Sequence, residues 1–203
     1  MKKLLTTVVM GATFLLASCG TKTTNVTSTT QENSVKQVQL TDGSETVEVK
    51  SNPKKIVTFD LGSADTLRAI GQEEAIAGMP TKTLPTYIKD LGEKVQNVGS
   101  MKEPDIEAIA AMQPDLIIAS TRTKDFIPQL KEIAPTVIFD VDSKDYWASV
   151  QKNVKSLASI FNEETQQKAS AQVKELQSVI DTIASKNEKH SEKSLAIMLN
   201  EGK

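Results

Sequence analysis

The sequence predicts an α/β fold, a helix-flanked, mostly parallel sheet followed by one long α-helix. Three observations predict it. First, short apolar runs without alternation, such as Leu116-Ile117-Ile118-Ala119, read as strands buried on both faces, the signature of a parallel sheet covered by helices. Second, such runs alternate with helical patterns over about a hundred residues, the order of a βαβ chain. Third, residues 163–189 contain neither Gly nor Pro and are rich in Glu, Lys, Gln, Ala and Ser. A helix of that length spans ~40 Å at 1.5 Å per residue, about the width of a domain.

Composition narrows the function classes. The 203 residues suffice for one core and part of another. With 38% apolar and 25% charged residues the chain is ordinary and globular. Removing residues 1–18 takes Lys2 and Lys3 from the 24 basic residues and leaves 22 against 26 acidic, a net charge of −4. An acidic chain without a basic run argues against nucleic acid as a partner. One cysteine excludes an internal disulfide framework and a thiolate zinc cluster, and one histidine excludes a polyhistidine metal site.

The amino terminus reads as an address. Met1-Lys2-Lys3 and the apolar stretch 4–16 form a basic and a hydrophobic region of signal-peptide length, too short to span a membrane. Leu16-Ala17-Ser18-Cys19 resembles the bacterial lipobox, which implies cleavage before Cys19 and a lipid on its sulfur. Residues 20–34 are rich in Thr, Ser, Asn and Gln, the composition of a solvated tether. The segment 1–18 is therefore expected to be a signal peptide and 19–34 a lipidated, flexible leash.

The folded part opens with alternating residues 35–40 and 46–49 around Asp42-Gly43, a β-hairpin expected as a half-exposed edge ribbon. Pro53 breaks the chain before a buried strand at 56–59. Ser63 is expected to cap a helix running to about Ile70 and ended by Gly71. Ala75-Ile76-Ala77-Gly78 reads as a short strand, Met79 to Pro85 as a loop with two prolines, and 96–99 as a weak strand. Pro104 and Asp105 suit the start of a helix to Met112, with Ile106, Ile109 and Ala110 buried and Glu107 turned to solvent. After the strand at 116–119 come a helix from about Asp125 to Ile133 and a strand at 136–139. Val150, Val154, Leu157, Ala158 and Phe161 mark another amphipathic helix. In the long helix, Ala169, Val173, Leu176, Ile180 and Ile183 form a narrow apolar seam. A strut lying along its own domain is preferred over a two-stranded coiled coil. Residues 194–200 read as a strand that opens a new unit, as in a fragment or truncated product.

Residues 56–63, 78–85 and 105–122, with the lipobox, tether and long helix in that order, resemble the siderophore-binding lipoproteins of bacterial ABC importers, most closely those for ferric catecholates. The resemblance runs from about Asp42 to Lys203. It implies a two-lobed substrate-binding protein of the iron and cobalamin type, with an N-terminal lobe at 35–162, a bridging helix at 163–190 and the start of a carboxyl lobe at 191–203. Nearly all of that second lobe would be missing, and ligand affinity correspondingly weaker. The ligand implied is a ferric siderophore, which supplies all the iron's ligands, so no intrinsic cofactor or protein metal ligand is expected. The partner implied is the transporter's permease, at the outer face of the cytoplasmic membrane.

Such ligands are polyanions with aromatic rims, which a guanidinium can bond and stack upon. The resemblance places a ligand-binding arginine after a strand ending Ile-Ile-x-Ser, matching Arg122, one of only two arginines in the chain. A lysine just beyond it matches Lys124 approximately, and Lys82 lies in the double-proline loop; simple solvation remains open for both lysines. The glutamate matching Glu107 is implied to dock the permease. His190 reads as a solvated residue. Met79 reads as a packed methionine rather than a heme ligand, while Tyr146 and Trp147 either border the cleft or anchor the helix they begin. Heme or cobalamin receptors, and a surface adhesion protein, are the competing functions. No nucleophile with base and orienter, phosphate loop or metal-ligand spacing suggests an enzyme.

Overall fold

The structure is a computed structural model and describes residues 36–41 and 45–188. Cys19, the tether, the hairpin turn, His190 and the strand expected at 194–200 lie outside the described residues. Seven strands and six α-helices are described in the order β1 (Gln37–Thr41), β2 (Thr46–Lys50), β3 (Ile56–Thr58), α1 (Leu61–Ala69), β4 (Ile76–Met79), α2 (Lys89–Gly92) and β5 (Gln96–Asn97). Then follow α3 (Ile106–Met112), β6 (Leu116–Ala119), α4 (Ile127–Ile133), β7 (Thr136–Ile138), α5 (Tyr146–Ala158) and α6 (Glu163–Glu188).

β3 to β7 form one parallel sheet in the order β5-β4-β3-β6-β7. Ile56, Val57 and Thr58 register with Leu116, Ile117 and Ile118 at its centre. All four residues of β6 are buried, as an unalternated apolar run requires when both faces are covered. Its side chains divide between two cores. Leu116 and Ile118 join Ile56, Leu67 of α1, Leu157 of α5 and Ala169 of α6. Ile117 and Ala119 join Val57, Ile109 of α3 and Leu130 of α4. The result is three layers, with α3 and α4 on one face and α1, α5 and the first turns of α6 on the other.

β1 and β2 pair antiparallel as a separate ribbon that sends Leu40 and Val49 into the first core and leaves the alternate residues exposed. A carboxylate ties this ribbon to the sheet. Asp115, just before β6, accepts from the backbone N–H of Lys54 at 2.8 Å and of Lys55 at 3.1 Å, and from Lys50 Nζ at 3.1 Å. Burial would raise its pKa, but the Lys54 N–H, the Lys50 ammonium and the Lys55 N–H outweigh that and hold it below the ordinary carboxylate value.

Four local expectations change. The cap of α1 is Asp60 rather than Ser63: its carboxylate accepts from the N–H of Gly62 and Ser63 and from the Ser63 hydroxyl. The chain turns directly out of β3, so the helix starts earlier and the serine falls inside its first turn. In α3, Ile109 is buried but Ala110 is exposed, because the helix lies on the sheet through a narrower stripe. The helix expected from Asp125 is preceded by a 3₁₀ segment, Thr121–Phe126, and α4 proper begins at Ile127. The seam of α6 is buried only at Ala169 and Val173; Leu176, Ile180 and Ile183 are 49%, 41% and 52% exposed. The helix packs on its own domain through its first half only.

Candidate functional site

Chain order creates the crevice. After β3 the chain moves outward to β4 and β5, then returns to the other side of β3 for β6 and β7. The loops leaving β3 and β6 therefore diverge at their carboxyl ends, the place where open α/β sheets bind ligands. A cleft of about 760 Å³ lies there, lined by loops that follow four strands. Asp60 and Leu61 come from the end of β3, Pro80 and residues 82–85 from the loop after β4, residues 99–103 from the loop after β5, and Ser120, Thr121 and Arg122 from the end of β6.

Arg122 stands on a turn with little freedom. Ser120 Oγ accepts from the Arg122 N–H at 3.3 Å, and the Thr123 hydroxyl accepts from Ser120 N–H and donates to Ser120 C=O, each at 2.9 Å. Thr123 is fully buried while Arg122 is exposed. The backbone is thus anchored from below and the guanidinium faces the cleft's solvent. Among the described residues no carboxylate pairs with Arg122. Arg68 differs: it donates to the Tyr87 carbonyl at 2.8 Å and pairs with Asp65 at 2.6 Å and Asp90 at 3.3 Å. One arginine of the two holds α1 to the loop before α2, and the other is left to the cleft.

Lys82 also lines the cleft, on a loop fastened where Thr81 N–H donates to Asn97 Oδ1 at 3.2 Å. Lys124 does not line it; it is exposed on the 3₁₀ segment two residues past Arg122. Glu107 is exposed in the first turn of α3, whose start is capped by Asp105 through the Ala108 N–H at 3.0 Å. It lies apart from the cleft-lining residues. Met79 ends β4 and is fully buried in the core, so it is a packing residue. Trp147 donates its indole N–H to Gln177, tying α5 to α6, whereas Tyr146 is 65% exposed; neither lines the cleft.

The sequence reading missed Asp60, Glu103 and Lys102 as cleft residues. The Asp60 carboxylate is occupied by its three cap donors. Lys102 sits in the Gly99–Pro104 loop, and the usable signal was that glycine and proline bracketing a short polar segment. Apolar surface comes from Leu61, Pro80, Leu84, Pro85 and Met101. The cleft therefore combines several cations with flat, apolar patches, a surface suited to an anion that also carries rings.

Comparison with known proteins agrees with this architecture. The petrobactin-binding protein YclQ of Bacillus subtilis (strain 168) is 34% identical over 191 residues, 93% of this chain and 59% of that protein. The solved iron uptake ABC transporter substrate-binding protein PiuA from Streptococcus pneumoniae Canada MDR_19A is 55% identical with a TM-score of 0.73, covering 75% of this chain and 54% of that one. The solved YclQ structure gives 32% identity and a TM-score of 0.72, covering 76% and 54%. The chain thus spans little more than half the length of these relatives. A family model described as periplasmic binding protein matches residues 56–203, and the chain belongs to that family.

Proposed function

We propose that this protein captures an anionic ferric siderophore, of the catecholate type, and passes it to the permease of an ABC importer. The observation that carries the reading is the Arg122 guanidinium, held on a locked turn at the mouth of the sheet's switch point and free of any protein carboxylate among the described residues. A buried arginine pair would be structural; an unpaired one on a fixed backbone is preorganised for an external anion. Lys82 adds a second positive charge, and Lys124 would act only at the rim. The siderophore brings the iron's whole ligand set, so the protein contributes charge and shape. The names of the relatives, an iron uptake substrate-binding protein and a petrobactin-binding protein, support the same substrate class.

In this reading Glu107, exposed on α3, meets the permease, and a lipid on Cys19 keeps the protein at the outer face of the cytoplasmic membrane behind a leash formed by 20–34. Residues 1–18 are its signal peptide, 35–162 its binding lobe and 163–190 its bridging helix. Equilibrium dialysis against the iron(III) tris-complex of 2,3-dihydroxybenzoate, and separately against heme, tests the function. Saturable uptake of the ferric complex is expected; saturation by heme alone would overturn it.

A further inference from the structure

We propose that Lys102 is a ligand-contacting cation of this cleft, presented by a preorganised turn formed by residues 99–104. The proposal rests on the reading that the cleft takes an anionic ferric complex, and adds a contact from the edge strand of the sheet.

The turn is closed by several bonds at once. Ser100 N–H donates to the Glu103 carbonyl at 2.9 Å, and Ser100 Oγ accepts from the N–H of Lys102 at 3.3 Å and of Glu103 at 3.0 Å. Asp105 N–H donates to the Val98 carbonyl at 2.9 Å, and Gly99 bridges Pro104 antiparallel. Gly99 is required: its φ is +99°, and a Cβ there would lie 2.5 Å from the Glu103 carbonyl oxygen and 2.7 Å from Asp105 N. Backbone order of this kind removes the freedom a loop would otherwise lose on binding.

On this turn the Lys102 side chain is exposed, lines the cleft, and pairs with no carboxylate among the described residues, although Glu103 is its neighbour. A lysine whose task was to fasten the turn would bond part of it. Instead the serine hydroxyl and the backbone do that, and the ammonium is left to the cleft. Lys102, Lys82 and Arg122 follow β5, β4 and β6 respectively, and β5 and β6 are three strand spacings apart, roughly 14 Å. Charges entering from strands so separated surround a ligand rather than grip one of its groups. That arrangement fits a bulky complex with negative oxygens spread over its perimeter.

The test uses the full chain and the iron(III) tris-complex of 2,3-dihydroxybenzoate in equilibrium dialysis, with thermal unfolding as the control on folding. Lys102→Met should weaken binding roughly tenfold or more, the size of a lost charge-assisted hydrogen bond, at unchanged Tm. Lys102→Arg should restore most of the affinity. Ser100→Ala, which keeps the charge but loosens the turn, should give an intermediate loss. If the unaltered chain binds and Arg122→Met weakens it while Lys102→Met does not, the Lys102 assignment is overturned and the cleft reading stands. If the unaltered chain does not bind the complex, both are overturned.

Discussion

Thr123 and Ser120 hold each other by two hydrogen bonds of 2.9 Å, with the threonine hydroxyl accepting the serine N–H and donating to the serine carbonyl. The residue between them that matters is Arg122, whose own N–H is bound by Ser120 Oγ. The turn therefore converts the end of a buried strand into a fixed platform for an exposed charge. Thr123→Val removes both bonds at nearly constant volume and leaves the Ser120 N–H without its acceptor. It should cost about 1–3 kcal/mol of stability in denaturant titration and weaken ferric-complex binding in parallel. Lost stability with unaltered affinity would show that Arg122 does not need the turn.

Asp115 should make the fold acid-sensitive. Its carboxyl sits below the ordinary value because three donors favour the charged form over the opposing effect of burial. A depressed carboxylate contributes stability that is complete above its unfolded pKa, about 3.9, and is lost as pH falls through the lower folded value. Asp115→Asn should lower stability at neutral pH by about 1–3 kcal/mol and flatten the loss below pH ~4. Chemical denaturation at neutral pH and at about pH 3 measures both effects.

The two halves of α6 should respond differently to the same change. Val173 is buried and Ile183 is 52% exposed. Val173→Asp should cost about 2–4 kcal/mol and Ile183→Asp less than about 1 kcal/mol. A penalty at 183 as large as at 173 would reveal a cover on that face of the helix.

Glu107→Ala should slow uptake of the ferric siderophore by cells while leaving affinity unchanged, since Glu107 lies outside the cleft lining. Loss of affinity would remove it from the permease-docking role.

Much of the fold was legible because burial on both faces leaves a distinct mark. Leu116 to Ala119 could hardly be anything but a central strand, and all four residues are buried. The Asp60 cap was missed because Ser63 is an equally good capping type and nothing local fixes where a helix starts after a strand. The seam of α6 was visible as a pattern, but periodicity says which face is apolar and not what covers it. Lys102 was hidden for a different reason. A loop lysine carries no pattern until the topology brings the ends of β4, β5 and β6 to one crevice.

The measurement that tests the central claim most directly exchanges the two arginines' roles. Arg68→Met and Arg122→Met are compared with the unaltered chain for Tm and for equilibrium binding of the iron(III) 2,3-dihydroxybenzoate complex. Arg68, bonded to Tyr87, Asp65 and Asp90, should be needed for stability and not for binding. Arg122 should be needed for binding, with a loss of roughly tenfold or more, at unchanged Tm. Binding that survives Arg122→Met intact would contradict the account.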